Sequence, residues 1–231
     1  MEAFLTPEFW LAVGQIVMID ILLGGDNAVV IALACRNLPP ALRNKGIIWG
    51  TVGAIVLRVI LIFFAMSLLK LPFLKLVGAV LLIWIGIKLL VPEDEEHDVQ
   101  ASDRLLGAIK TIIVADFVMS VDNVIGIAGA AQGSGHPGHE MPLVIFGLLV
   151  SIPIIVWGST LVLKLMDRFP IIITAGGMLL GWIAGSLAVG DPAIQAYVPE
   201  SDKVHLIAGG LGALFVLAMG TMLAKRAAAE T

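Results

Sequence analysis

Six polar residues stand inside two otherwise apolar stretches. The first stretch reads DILLGGDN and carries Asp20, Asp26 and Asn27. The second reads DFVMSVDN and carries Asp116, Asp122 and Asn123. An ionised carboxylate at the centre of a membrane helix costs at least about 2.5–3.5 kcal/mol on insertion scales. Four of them cannot face hydrocarbon, so they must turn towards one another or towards water. Gathered together they are desolvated and repel, which disfavours their charged forms. A bound divalent cation relieves both penalties, and carboxylate and amide oxygens suit hard or borderline ions such as Mg²⁺, Ca²⁺ and Mn²⁺. Polar glue between helices would account for the asparagines. It does not call for four aspartates, because glue needs no charge.

Local geometry refines the candidates. In a regular helix Asp20 and Asn27 share a face, while Asp26 points about 100° away. Gly24 and Gly25 precede Asp26, and glycine weakens a helix. A break there would free backbone carbonyls, re-aim Asp26 and mark the more mobile half of the site. The second copy lacks the glycine pair, and Met119 and Ser120 fall between Asp116 and Asn123 on about the same face. A thioether from Met119 or Met18 would favour a transition metal over Ca²⁺ or Mg²⁺; the ordinary role of methionine there is packing. Arg58, in the middle of another apolar stretch, needs a partner as well. It reads either as an internal cation that pairs with an aspartate when metal leaves, or as one half of a static ion pair.

The elements that position these residues are membrane helices. The chain has 231 residues, 59% hydrophobic and 14% charged, with a mean hydropathy of +1.01. Soluble domains carry about 25% charged residues. Apolar runs near twenty residues long recur along the chain, as membrane-spanning helices require. Seven spans are expected, at about 9–34, 47–69, 72–91, 105–131, 142–165, 170–189 and 204–224. Turn formers and charges separate them, as in CRNLPPALRNKG, VPEDEEHDVQASD and QGSGHPGHEMP. On this layout Arg36, Arg43, Lys45, Lys88, Arg104, Lys110, Lys164, Arg168, Lys225 and Arg226 share a side, against Lys70, Lys75 and Lys203 on the other. The positive-inside bias puts the N-terminus outside and the C-terminus in the cytoplasm.

The N-terminal stretch does not read as a cleaved signal, so the first apolar segment counts as a span. The single cysteine, Cys35, excludes an internal disulfide. A net charge of −4 with no basic patch argues against nucleic-acid binding. Residues 92–104 form an acidic cytoplasmic loop, read as a solvated segment that could also concentrate cations. HPGHE, with His136, His139 and Glu140, reads as a flexible outer turn. Trp10 and Trp49 read as interfacial anchors.

The two motifs are copies. Asp20, Asp26, Asn27 and Ala32 match Asp116, Asp122, Asn123 and Ala128 at a constant separation, and Pro72, Gly78 and Trp84 match Pro170, Gly176 and Trp182 at nearly the same one. The fold class is therefore all-α: a single transmembrane domain over 1–231, with three-helix repeats at 9–91 and 105–189 and a seventh helix at 204–224. Three spans per repeat make the second copy start from the opposite face, so the repeats are inverted, the plan of many secondary transporters. Arg58 breaks the symmetry, since the equivalent region near Ile155 holds no arginine.

The segments DILLGGDNAVVIALACRNLP and ADFVMSVDNVIGIAGAA resemble the paired motifs of the TerC family of integral membrane proteins, nearest its YjbE-like branch, within the LysE-type transporter superfamily. The resemblance spans nearly the whole chain. It implies export of divalent metal, chiefly Mn²⁺, with Asp20, Asp26, Asn27, Asp116, Asp122 and Asn123 as the metal site. Asp20 stands where some family members carry Glu, which shortens the reach to a metal. The expected protein is a multi-pass transporter of the bacterial plasma membrane, with Mn²⁺ as cargo, protons as counter-ion and the lipid bilayer as surroundings. It is not expected to be an enzyme or to hold an organic cofactor, and an oligomer is compatible with the layout. No phosphate-binding GxxxxGK[ST] stretch occurs, so an ion gradient is the natural energy source. Two other readings stand beside it: a membrane partner for metalation or assembly of exported proteins, and an intramembrane aspartyl protease. Against the protease, Leu23 occupies a glycine position of its usual G-x-G-D context, and each motif carries an extra Asp and Asn.

Overall fold

The computed structural model describes residues 7–68, 71–91, 101–132, 140–195, 197–198 and 201–230, and among them there is no strand. The helices are α1 (Pro7–Cys35), α2 (Pro40–Leu68), α3 (Leu74–Leu90), α4 (Ala101–Gln132), α5 (Glu140–Arg168), α6 (Ile171–Val189), α7 (Pro192–Gln195) and α8 (Asp202–Glu230). Proline stands at the first position of α2 and α7, where a missing N–H costs nothing. Pro153 lies inside α5 and is tolerated as prolines in packed membrane helices are. Several helices outrun the expected spans: α2 begins at Pro40 rather than near residue 47, and α4 at Ala101 rather than near residue 105. Hydropathy marks the apolar part of a helix, and these helices continue into polar sequence. The one-turn α7 falls in a stretch expected to be a plain connection.

Among the described residues, four helical stretches are long and apolar enough to cross a membrane by themselves: Pro40–Phe64, Val144–Arg168, Ile171–Val189 and Asp202–Ala227. The exposure pattern is that of a protein solvated by lipid. Trp157 is 69% exposed and Phe63 67%, whereas Arg58 is 2% exposed and Asp20 1%. Trp10 and Trp49 are also exposed. Placing large apolar side chains outside and charges inside is favourable only where the surroundings are hydrocarbon.

Helix packing follows a pattern of exchange. α1 packs chiefly on α5 and α4 chiefly on α2, while α3 meets α6, α1 meets α4 and α2 meets α5. Swapping α1 with α4, α2 with α5 and α3 with α6 carries each of these pairs onto another or onto itself. The swap extends to single contacts. Gly50 on α2 lies against Ile112 of α4 too closely for a Cβ, and Gly147 on α5 lies in the same way against Ile16 of α1. α8 lies outside this exchange, packed along α6 with a smaller contact to α3.

The start of α3 is held from a distance. Phe73 takes a left-handed conformation, φ 66°, just before the helix. The buried Asp191, in the turn after α6, accepts the N–H of Phe73 on Oδ1 at 2.9 Å, and those of Lys75 and Leu76 on Oδ2 at 3.0 and 3.2 Å. It also caps α7 by accepting the Ala193 N–H at 2.8 Å. Burial would raise the Asp191 carboxyl, but these four N–H groups outweigh it and hold the group below the usual carboxylate range.

Candidate metal-transport site

The buried charges meet where α1, α2 and α4 converge. The Arg58 guanidinium donates through Nη1 to Asp20 Oδ1, through Nη2 to Asp116 Oδ1 at 2.5 Å, and through Nε to Ser120 Oγ at 3.0 Å. Ser120 in turn donates to Asp116 Oδ2 at 3.0 Å. One carboxylate from each motif therefore shares a single internal cation. Helical register explains the pairing of Asp116 with Ser120, since residues four apart lie one above the other. Arginine suits the position because its planar fork serves several acceptors at once.

Asp20 Oδ2, Asp26 Oδ1 and both polar atoms of Asn27 are buried without a well-formed hydrogen bond among the described residues, the Ser151 hydroxyl being the polar group beside the Asp20 carboxylate. Buried polar atoms are nearly always satisfied, and leaving one bare costs about 1–3 kcal/mol. Three of these four atoms are hard oxygens on α1, the donor type that hard cations take. The chemistry of this donor set fits a divalent ion as cargo.

Asp26 and Asn27, though adjacent, serve different spaces. Asn27 faces Asp116 across a small void bounded by Val30, Ile31 and Ile112. Asp26 lines a larger cavity of about 420 Å³, together with Asn123 and Met119 of α4 and Trp182 and Ser186 of α6. α1 is a continuous helix through Gly24 and Gly25, so the expected break is absent, and ordinary helical rotation alone separates the two side chains. A Cβ at Gly25 would meet nothing within 4 Å, so no packing constraint enforces glycine there.

Of the other candidates, Met119 is buried beside Asp26 and Asn123, whereas Met18 is 55% exposed on the outer surface, away from the site. The surroundings of Gly24 and the side chain of Asp122 lie outside what is described, as do the acidic stretch Glu93–Asp98 and His136 and His139. Among the described residues no three His, Cys, Asp or Glu side chains are arranged to chelate one ion. Sequence reasoning passed over Asp191 and His205, and used Lys75 only to orient the chain. The Asp-Pro pair at 191–192 signals a local cap, but nothing in the sequence indicates that the same carboxylate reaches α3.

Charges inside, apolar side chains outside and several membrane-length helices define a multi-pass integral membrane protein. The chain belongs to the TerC family: the family described as "Integral membrane protein TerC family" matches residues 5–228. Among similar proteins, "Uncharacterized membrane protein YjbE" of Bacillus subtilis (strain 168) is 39% identical over 210 residues, 91% of this chain and 94% of the relative. "Uncharacterized membrane protein YceF" of the same organism is 25% identical over 81% of this chain and 74% of its own. "UPF0053 inner membrane protein YgdQ" of Escherichia coli (strain K12) is 28% identical over 54% of this chain and 61% of its own. No solved structure matches the chain.

Proposed function

We propose that the protein is a secondary transporter of a bacterial plasma membrane that exports divalent metal, chiefly Mn²⁺, in exchange for protons. The observation that carries this reading is the buried cation bridge: Arg58 binds carboxylates from both motifs, and unsatisfied oxygens stand beside it. A metal ion arriving from the cytoplasm competes with Arg58 for Asp20 and Asp116, and Asp26, Asn27, Asp122 and Asn123 supply further oxygens. On the outer side protons neutralise the carboxylates, the metal leaves, and Arg58 returns. The arginine compensates Asp20 and Asp116 when no metal is bound, so these two carboxylates reset without paying their full desolvation cost.

Several features support the parts of this reading. The exchange pattern of helix packing supports two inverted repeats that rock against each other about a midplane site. The seven long helices and the Lys/Arg bias support seven spans with the C-terminus inside. Met119 beside Asp26 and Asn123 adds a thioether to an oxygen set, which favours Mn²⁺ over Ca²⁺. The protein works as a carrier rather than an enzyme, because a fixed guanidinium between Asp20 and Asp116 opposes the shared-proton chemistry of an aspartyl dyad. Cellular Mn content and Mn²⁺ efflux test the proposal. Asp26→Asn and Asp122→Asn should each abolish efflux with expression intact, and full efflux in either variant rules out the two-motif site.

A further inference from the structure

We infer that Asn27 of α1 and Thr51 of α2 form an inner station for the cargo cation, on the cytoplasmic side of the Arg58 bridge. This rests on the transport reading and orientation above.

Thr51 is buried, and its hydroxyl oxygen has no hydrogen-bond partner among the described residues. The same holds for both polar atoms of Asn27. Helical register brings the two side chains to one level. α1 and α2 meet at two places: Arg58 binds Asp20, and a Cβ at Gly46 would stand 2.9 Å from the Cys35 Sγ. The two helices therefore run antiparallel. Asn27 lies seven residues from Asp20, and Thr51 lies seven from Arg58 in the same direction. Each is about 10 Å along its helix from the bridge. A seven-residue step also returns to nearly the same face, so both residues stand on the faces that meet at the bridge. Arg58 is long enough to span the gap between those faces. Asn27 and Thr51 are short, and their oxygens stay unpaired.

α4 fills the space between them. Ile112 lies against Gly50, the neighbour of Thr51, too closely for a Cβ there, and it also bounds the void beside Asn27 and Asp116. That void is about 10 Å³, the lower limit for a single water. An ion with a full hydration shell does not fit, so a cation at this level gives up water for protein oxygens. An amide carbonyl and a threonine hydroxyl are ligands that hard divalent cations accept. Being neutral, they hold an ion less firmly than carboxylates do, which suits a step that the ion must leave for Asp20 and Asp116.

The repeat sharpens the assignment. The matching glycines Gly50 and Gly147 align Thr51 with Leu148 and Arg58 with Ile155. Leu148 and Ile155 are both buried, so packing at these positions calls for bulk and not for a polar atom. α2 is polar at both, on one face. The Arg43–Asp167 ion pair, at the start of α2, marks the end of the bundle nearer to Thr51, and the positive-inside bias makes that end cytoplasmic.

Thr51→Val tests the station, since it removes the oxygen and keeps the shape. Proteoliposomes report the Mn²⁺ concentration at the cytoplasmic face that gives half-maximal transport. Thr51→Val should raise it about tenfold, as expected for the loss of one contact to a charged group. Its thermal midpoint in detergent should equal or exceed that of the wild type, because a buried unsatisfied hydroxyl is gone. Thr51→Ser, which keeps the oxygen, should restore the wild-type concentration. An unchanged concentration in Thr51→Val makes Thr51 a packing residue and overturns the station. So does an equal rise in both variants, which would trace the effect to shape, or a lowered midpoint in Thr51→Val, which would show the hydroxyl held by the fold. If the wild type carries no Mn²⁺, the transport reading falls. If it does and Thr51→Val matches it, only the inner station falls.

Discussion

Arg58 gathers more of the buried charge than any other described side chain. It bridges Asp20 and Asp116 and also binds Ser120. Removing one member of a buried ionic cluster typically costs about 3–5 kcal/mol, because the remaining charges lose their compensation. Arg58→Gln should therefore lower the thermal midpoint in detergent and abolish Mn²⁺ efflux, while the amount inserted in the membrane stays near wild type. Normal efflux in Arg58→Gln would leave the arginine a structural pair and remove it from the transport cycle. The need for a partner was legible from one arginine in an apolar run. That it takes one carboxylate from each motif was not, because the contacts link residues on three separate helices.

At the scale of helices, two glycine settings make opposite demands. Gly212 of α8 lies against the Gly181 carbonyl of α6, and a Cβ at either position would overlap the other helix's backbone. Close backbone approach is how membrane helices gain packing energy without a hydrophobic drive. Gly25 meets no such neighbour. Gly212→Val should destabilise the bundle by about 1–3 kcal/mol through overpacking, seen as a lower thermal midpoint. Gly25→Ala should leave the midpoint unchanged or raise it, since alanine favours a helix by about 0.5–1 kcal/mol over glycine. If Gly25→Ala also keeps full efflux, the Gly24–Gly25 pair has no part in gating. Sequence spacing already put Asp26 about 100° from Asn27. The continuous α1 turns that angle into two addresses, the cavity for Asp26 and the void beside Asp116 for Asn27.

For the whole molecule, the swap of α1–α3 with α4–α6 relates the helix packing of the two halves, and α8 closes one side against α6. Each half contributes one motif carboxylate, Asp20 or Asp116, to the same arginine. The proposed topology is open to test. A reporter fused after Arg226 should be protected from outside reagents and reached only from the cytoplasm. Exposure of that end to the outside would overturn the proposed orientation.

The sequence by itself determined that the chain is helical and lives in a membrane, where the apolar parts of its long helices run though not where those helices end, and that its polar motifs come as a spaced pair. These are local or periodic properties, carried by hydropathy, turn formers and residue spacing. Tertiary structure alone decided that Arg58 lies between Asp20 and Asp116, that Met119 lines the cavity while Met18 faces outward, and that Asp191 holds the start of α3. Each of these depends on how helices far apart in sequence rotate and approach. A buried charge announces that it needs a partner, but the partner is chosen by packing, which no stretch of sequence records.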